Sequence, residues 1–382
     1  MAKFLNDPCR CCALLLCCTF LAAGLLAAAA HAAPEAPVQT AAPTRVLTDA
    51  LGRTVHLPPA NHIRRLVALG SSMAFITYLN AQDLVVGVED FDKSDDLAKP
   101  YVLRNRERFR DLPVIGKAGA VRLPDYERIV ALRPDVVFIV STDPGEPDLI
   151  QRKLRRPVVA VSQGQPRFDQ KIFLQSIRLT GQVLGREDRA AQLIQGIHHL
   201  AERLAYRPSP QERRKAYVGG LSYKGNQDLR STAGRFLPLE LAGLDNVADS
   251  AGRAGHFFVN KEFLLAANPP LIFIDANGLP LIREGLRTDP GYYRRLKALN
   301  QSRVWLVLPH TAYFNNPEIL YINAFFMAKA AYPEHYATMD PEAEADAIFT
   351  LFNGAPQYKD FVRLCGRPGR LQLTEAGLES AP

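Results

Sequence analysis

Residues 185–206, GREDRAAQLIQGIHHLAERLAY, constrain the fold more than any other stretch. Ala190, Ile194, Ile197, Ala201 and Leu204 recur at spacings of three and four, which makes one apolar stripe on a helix. Glu187 and Asp188 fall in its first turn, where carboxylates oppose the positive end of the helix dipole. Arg207-Pro208 closes it, because proline cannot continue a helix. About twenty residues at about 1.5 Å each make a rod of about 30 Å, roughly the diameter of a small domain. Alternating apolar strands and helices lie on both sides of it. Two readings fit the pattern: a rigid linking helix over 186–207 between two α/β lobes, or one more helix laid on a sheet.

Before the rod, apolar runs at 65–69, 84–88, 136–140 and 158–161 are separated by helical patterns. After it, runs at 216–221, 271–274 and 304–308 restart the alternation. Such alternation implies parallel sheets covered on both faces. The predicted fold class is α/β, two lobes each with a mainly parallel sheet flanked by helices. The first lobe spans 45–185 and the second 208–355. Residues 356–382, with Gly366, Pro368 and Gly369, read as a loosely ordered tail.

At the N-terminus, Lys3 and Arg10 accompany an uncharged apolar run at 13–30, which ends in Ala30-His31-Ala32. This pattern predicts a signal peptide over 1–32 cleaved after Ala32, followed by a Pro- and Ala-rich tether over 33–44, and hence a periplasmic location. A retained membrane anchor is the alternative, since the run is near the spanning length. Five of the six cysteines lie in the first eighteen residues, so Cys365 has no disulfide partner in the remainder. The net charge of +7 comes from scattered Lys and Arg, which argues against nucleic acid and is compatible with an anionic ligand.

In open α/β sheets ligands bind outside the carboxyl ends of the strands. In the first lobe that rule selects Ser71, Ser72, Asp90, Phe91, Lys117 and Ser141. In the second lobe it selects Tyr223, Lys224, Asn277, His310, Tyr313 and Asn315. Arg230 and Arg235, which follow a second-lobe strand, could neutralise an anionic chelate, and His256 joins the set. Loops of two lobes facing each other form a cleft for a small molecule. No Gly-x-Ser-x-Gly elbow, Walker loop or dinucleotide fingerprint is present, and no nucleophile, base and orienter set stands out. The expectation is therefore a binding protein rather than an enzyme, with no cofactor. A direct metal-ion site from His256 and His310 is a further alternative. His198-His199 points two ways on the rod and reads as solvated surface.

Three blocks then carry a family resemblance. Thr48-Asp49-Ala50-Leu51-Gly52-Arg53-Thr54-Val55, with Arg65 to Ser72 and Leu84 to Val88, resembles the opening of periplasmic binding proteins of ABC importers for iron–siderophore complexes and cobalamin. Tyr126-Glu127-Arg128-Ile129-Val130-Ala131-Leu132-Arg133-Pro134-Asp135 is similar to that family's most recognisable block. Ser231-Thr232 with Pro238-Leu239-Glu240-Leu241-Ala242-Gly243 resembles its second-lobe hallmark. The resemblance implies a single helix joining the lobes and a ligand in the cleft between them. It also implies a permease dimer in the inner membrane as partner, with Glu127 and Glu240 as exposed docking carboxylates, and a monomer in solution. The ending over 321–345 looks like a branch usually associated with iron complexes, so the implied cargo is an iron(III) chelate. Cobalamin and oxyanions such as molybdate or tungstate are the alternatives within the group. An aromatic face with cations suits a chelate, whereas an oxyanion would seek backbone amides such as those at Ser71-Ser72.

Overall fold

The first sheet is assembled from strands that are apolar on both faces. They are β3 (Leu66–Leu69), β4 (Val85–Gly87), β7 (Val136–Val140) and β8 (Val158–Val161), which follow a small hairpin of β1 (Arg45–Thr48) and β2 (Thr54–Leu57). The sequences LVAL, VVFIV and VVAV are buried at every position. Such runs suit parallel strands covered by helices on both sides, and the four pair in parallel in the order β4-β3-β7-β8. A short ribbon of β5 (Gly116–Lys117) and β6 (Leu123–Pro124) lies beside them. The covering helices are α1 (Ser72–Tyr78), α2 (Pro100–Asp111), α3 (Tyr126–Ala131), α4 (Gly145–Leu154) and α5 (Gln170–Leu184). The computed structural model describes residues 44–94, 99–119, 122–165, 167–312, 314–375 and 377–381. The expected signal peptide and its cleavage site lie outside the described residues.

Gly185 ends α5 in the left-handed region at φ 64°, which a glycine adopts without steric cost. The linking helix α6 (Glu187–Arg203) follows without interruption. Its buried face is Ala190, Leu193, Ile197 and Leu200, continued by Leu204, while Ile194 and Ala201 sit at the edge. Burying Leu193, Ile197, Leu200 and Leu204 contributes about 1.5–3 kcal/mol each. His198 and His199 are exposed on the far side.

The second sheet uses β9 (Lys215–Gly219), β11 (Asp245–Asn246), β13 (Leu271–Asp275) and β14 (Val304–Val307) in parallel. A separate antiparallel ribbon, β10 (Ser231–Gly234) with β12 (Gly255–Phe258), lies near the strand ends, and β15 (Thr311–Ala312) with β16 (Phe314–Asn315) makes a short hairpin. The helices are α7 (Leu237–Leu241), α8 (Lys261–Ala267), α9 (Leu279–Thr288), α10 (Pro290–Arg294), α11 (Lys297–Asn300), α12 (Pro317–Ala331), α13 (Pro341–Asn353) and α14 (Tyr358–Cys365).

The tail departs from expectation. Residues 358–365 form α14, and the chain then adds β17 (Gly369–Thr374) antiparallel to β14 and β18 (Gly377–Ser380) antiparallel to β17. Leu371 and Leu378 are each 1% exposed, so these strands cover the edge of β14 that would otherwise stand open. Glycines and a proline suggested looseness there. The short alternation of Leu371 and Leu373 was the signal that mattered.

The described residues from 44 onward form one compact unit, and its lobes are tied by more than one helix. Arg189 on α6 donates from Nε to Tyr78 O at 3.0 Å and from Nη2 to Leu351 O, so one guanidinium holds the ends of α1 and α13. Tyr78 also donates its hydroxyl to Glu318 Oε2 at 2.5 Å, and Asn353 Nδ2 donates to Glu318 Oε1 at 3.3 Å. Glu318 is fully buried at the start of α12, so burial raises its pKa. A continuous apolar core runs under α1, α5, α6, α12 and α13 and takes residues from both sheets.

Candidate functional site

A cleft of about 240 Å³ opens where loops of both lobes meet. The second lobe supplies most of its wall. Ser222 and Tyr223 come from the loop after β9, and Ala233 to Leu237 from the turn between β10 and α7. His256 comes from β12, and His310, Thr311, Phe314 and Asn315 from the segment after β14. The first lobe adds Gln165, Arg167 and Phe168, from the loop after β8.

Several local features shape this wall. Gly234 sits in β10 where a Cβ would overlap the carbonyl oxygen of Arg253, so the β10–β12 ribbon closes only over a glycine. Arg235 follows at φ 50°, with its backbone N–H on Asp249 Oδ1 at 2.6 Å. That bond turns the exposed Arg235 side chain toward the cleft, and its guanidinium makes no hydrogen bond or ion pair with the described residues. Arg167 lends Nη1 to Phe168 O at 3.1 Å and stands 3.6 Å from Asp169 Oδ2. Asn316 occupies the N-cap position of α12, and Asn315 and Leu320 line the cleft, so the positive end of this 15-residue helix lies at the cleft wall.

The two cleft histidines differ in environment. His310 is 7% exposed, edge-on to Phe236 at 5.2 Å, with Nδ1 3.3 Å from Asp275 Oδ2 but not aligned for a hydrogen bond. His256 stacks on Tyr223 at 4.2 Å with a 7° interplanar angle, and its Nε2 lies 2.7 Å from Ser231 Oγ. Burial first, then the nearby His310 and Arg253, depress the His256 pKa to about 4. Tyr223 and Phe258 are 46% and 48% exposed, which leaves an aromatic rim at the cleft mouth. No group of three or more His, Cys, Asp or Glu that could hold a metal ion occurs among the described residues.

Of the residues singled out from sequence, Tyr223, Arg235, His256, His310 and Asn315 line this cleft together. Asn277 stands one step behind, donating Nδ2 to Ser222 Oγ at 3.1 Å. Arg230 is paired with Asp228 at 2.8 Å, and Lys224 sits 5.6 Å from the Tyr223 ring centroid, both outside the lining. Tyr313 lies outside the described residues. The first-lobe candidates are not in the cleft wall. Ser71 and Ser72 are buried, and Ser72 Oγ turns back to Leu69 O at 2.9 Å. Asp90 Oδ1 braces its own loop by accepting from Phe91 N at 2.8 Å and Ala118 N at 2.9 Å. Phe91 is half-buried against the Lys99 ammonium, 3.7 Å from its centroid. Lys117 is exposed, and Ser141 donates to Glu146 Oε2 at 2.6 Å.

The first-lobe strand ends instead hold a charge cluster that sequence reasoning missed. Gly70 and Ser71 are both left-handed, at φ 58° and 65°. The Gly70 N–H donates to Glu89 Oε2 at 2.7 Å, and a Cβ at Gly70 would overlap the Arg122 guanidinium. Arg122 reaches Glu146 Oε1 at 2.6 Å and Val140 O at 3.1 Å. Also missed were Gln165, Arg167 and Phe168. The strand-end rule applied to β8 would have found them, because the apolar run at 158–161 was legible.

Glu127 and Glu240 are exposed carboxylates on the first turns of α3 and α7.

Comparison with known proteins places this geometry. Over 333 residues, 81% of this chain and 90% of the relative, the sequence is 28% identical to the molybdate-binding protein MolA of Haemophilus influenzae. The solved structure of that protein with molybdate bound superposes with a TM-score of 0.63 at 24% identity, covering 82% of this chain and 98% of the other. CeuE of Helicobacter pylori with nickel(II) bound superposes with a TM-score of 0.57 at 20% identity, covering 83% and 99%. At these identities the superpositions speak for the fold. Residues 67–309, well over half of the sequence, match the family described as periplasmic binding protein, and this chain belongs to that family.

Proposed function

We propose that this chain is the extracytoplasmic solute-binding protein of an ABC importer and that its cargo is a tetrahedral oxyanion such as molybdate or tungstate. The observation that carries the reading is the cleft itself. Its volume is about 240 Å³, and its wall carries the Arg235 guanidinium, which has no hydrogen bond or ion pair with the described residues. Pockets for drug-sized ligands run from about 300 to 1,000 Å³, so a cobalamin or a bulky multidentate chelate finds little room in this one. Arg235 and Arg167 supply forked N–H donors, Thr311 and Ser222 supply hydroxyls, and α12 offers its positive end. The similarity to a molybdate-binding protein supports the same cargo class.

The segment ending at Ala32 would direct export, and the released chain would deliver its cargo to a membrane permease through Glu127 and Glu240. Loading and release at the cleft involve no bond breaking, so no catalytic role is assigned.

A second reading, an iron(III) chelate, is favoured by one feature. Tyr223, His256 and Phe258 form an aromatic rim, with His256 edge-on to Phe258 at 5.0 Å, on which an organic chelator could lie. Isothermal titration with molybdate, tungstate, sulfate, a ferric hydroxamate and cobalamin separates the two. Molybdate or tungstate should bind, and Arg235→Ala should weaken that binding at least about tenfold, the loss of one charge-assisted contact of about 1.5–3 kcal/mol. Binding of the ferric hydroxamate with no response to either oxyanion would overturn the reading.

A further inference from the structure

We infer that cargo capture in this cleft is coupled to the uptake of one proton, shared between the bound anion and Nδ1 of His256. The inference rests on the oxyanion reading above and deepens it.

Ser231 is fully buried on β10, and its Oγ lies 2.5 Å from Leu221 O. A carbonyl oxygen only accepts, so the single hydroxyl hydrogen of Ser231 goes to Leu221. Ser231 Oγ is then an acceptor toward His256 Nε2 at 2.7 Å, and Nε2 must carry the ring hydrogen. In the neutral imidazole that leaves Nδ1 with a bare lone pair. Nδ1 makes no hydrogen bond with the described residues and is not sealed in the interior, and the residue lines the cleft. The ring cannot turn freely, because it is stacked on Tyr223 and packed against the edge of Phe258.

The surroundings favour the neutral ring while the cleft is empty. Burial first, then His310 from the segment after β14 and Arg253 just before β12, disfavour a charge on His256. Lys224 beside Tyr223, Arg235 after β10 and Arg167 from the loop after β8 are further cations around the cleft, and Arg167 stands 3.6 Å from the Asp169 carboxylate. The Asp275 carboxylate faces His310, Asp249 holds the Arg235 N–H and Asp228 pairs with Arg230.

A fully ionised oxyanion has only acceptor oxygens. Against the bare Nδ1 lone pair it meets an acceptor facing an acceptor. One proton converts that contact into a charge-assisted hydrogen bond, whether it resides on the ring or on the anion. The proton count is the same in either case, which is why the coupling is a thermodynamic statement and does not depend on where the hydrogen sits.

The test is titration of sodium molybdate into the full processed chain at pH 6, 7 and 8, each in two buffers of different ionisation enthalpy. The difference in heats between buffers reads the protons taken up. One proton per molybdate is expected, with Kd rising by up to about tenfold per pH unit. His256→Gln supplies an amide N–H that does not titrate. It should bind more weakly at pH 6, with no uptake and a Kd that does not change with pH. Molybdate binding without proton uptake by the unaltered chain overturns the inference and leaves the oxyanion reading standing. Wild-type uptake retained in His256→Gln overturns it as well. Absence of molybdate binding at every pH overturns the oxyanion reading, and this inference with it.

Discussion

Replacing Glu89 by glutamine should change how stability depends on pH. Glu89 lies at the end of β4, 2% exposed, with Oε2 on the Gly70 N–H and Oε1 unpartnered. Burial raises its pKa from 4.5 to about 7, opposed by the Gly70 hydrogen bond and by Arg122, and assisted by Asp92. The native state therefore holds this proton more tightly than the unfolded chain. The stability it confers is present below about pH 4.5 and is lost progressively as pH rises to about 7. A difference of about 2.5 pH units at 1.36 kcal/mol each comes to about 3 kcal/mol. For the unit 42–382 the unfolding entropy is about 0.7 kcal/mol per kelvin, so the effect is about 4 °C in Tm. Glu89→Gln removes the titration while keeping an acceptor for Gly70. Its orphaned amide adds a cost that does not vary with pH, so the informative quantity is the change in the mutant-minus-wild-type difference across pH. Urea unfolding of both proteins at pH 4.5, 6 and 8 should show the variant gaining about 3 kcal/mol relative to wild type between the first and last values. Asp92, also raised by burial, and Lys99, lowered to about 8 and so titrating at the upper edge of this range, are common to both proteins. Parallel pH curves for the two proteins would refute the reasoning.

Two further outcomes follow from the ties between lobes and from the exposed acids. Arg189→Ala removes the donors to Tyr78 O and Leu351 O. Water can reach this half-buried site, so the expected loss is about 1–3 kcal/mol, and a calorimetric Tm equal to wild type would contradict the role of Arg189 as a tie. Glu127→Ala with Glu240→Ala should abolish cargo transport in vesicles carrying the cognate permease and leave cargo affinity unchanged. Loss of affinity in that double variant would overturn the docking assignment.

Much of the scaffold could be read before any coordinates. Val136–Val140 and Val158–Val161 are uniformly apolar, a property of strands buried on both faces, and both are strands. Residues 187–203 carried helical periodicity, carboxylates in the first turn and a proline beyond the C-terminal end, and they form one helix. The second-lobe half of the candidate site was also accessible, because polar and aromatic residues cluster just after its strands. The first-lobe half was not. Ser71 and Ser72 look like ligand-facing serines in the sequence, yet two successive left-handed residues at Gly70 and Ser71 redirect the loop and bury both. Local sequence does not encode that redirection. It depends on Glu89 and Arg122, 19 and 52 residues away, closing on the Gly70 peptide.

The sequence by itself therefore determined the main buried strands, the long helix over 187–203 and the restart of the α/β pattern after it, since hydrophobic period and helix-ending residues act over only a few positions; it left the linking role of that helix open and missed the order of the tail. Tertiary structure alone decided which side chains share the cleft, which turn inward, and that Arg189, Tyr78 and Glu318 weld the halves through a common core. Those outcomes depend on contacts such as Tyr78 with Glu318, 240 residues apart, where burial and hydrogen-bond partners are set by the packing of the whole chain.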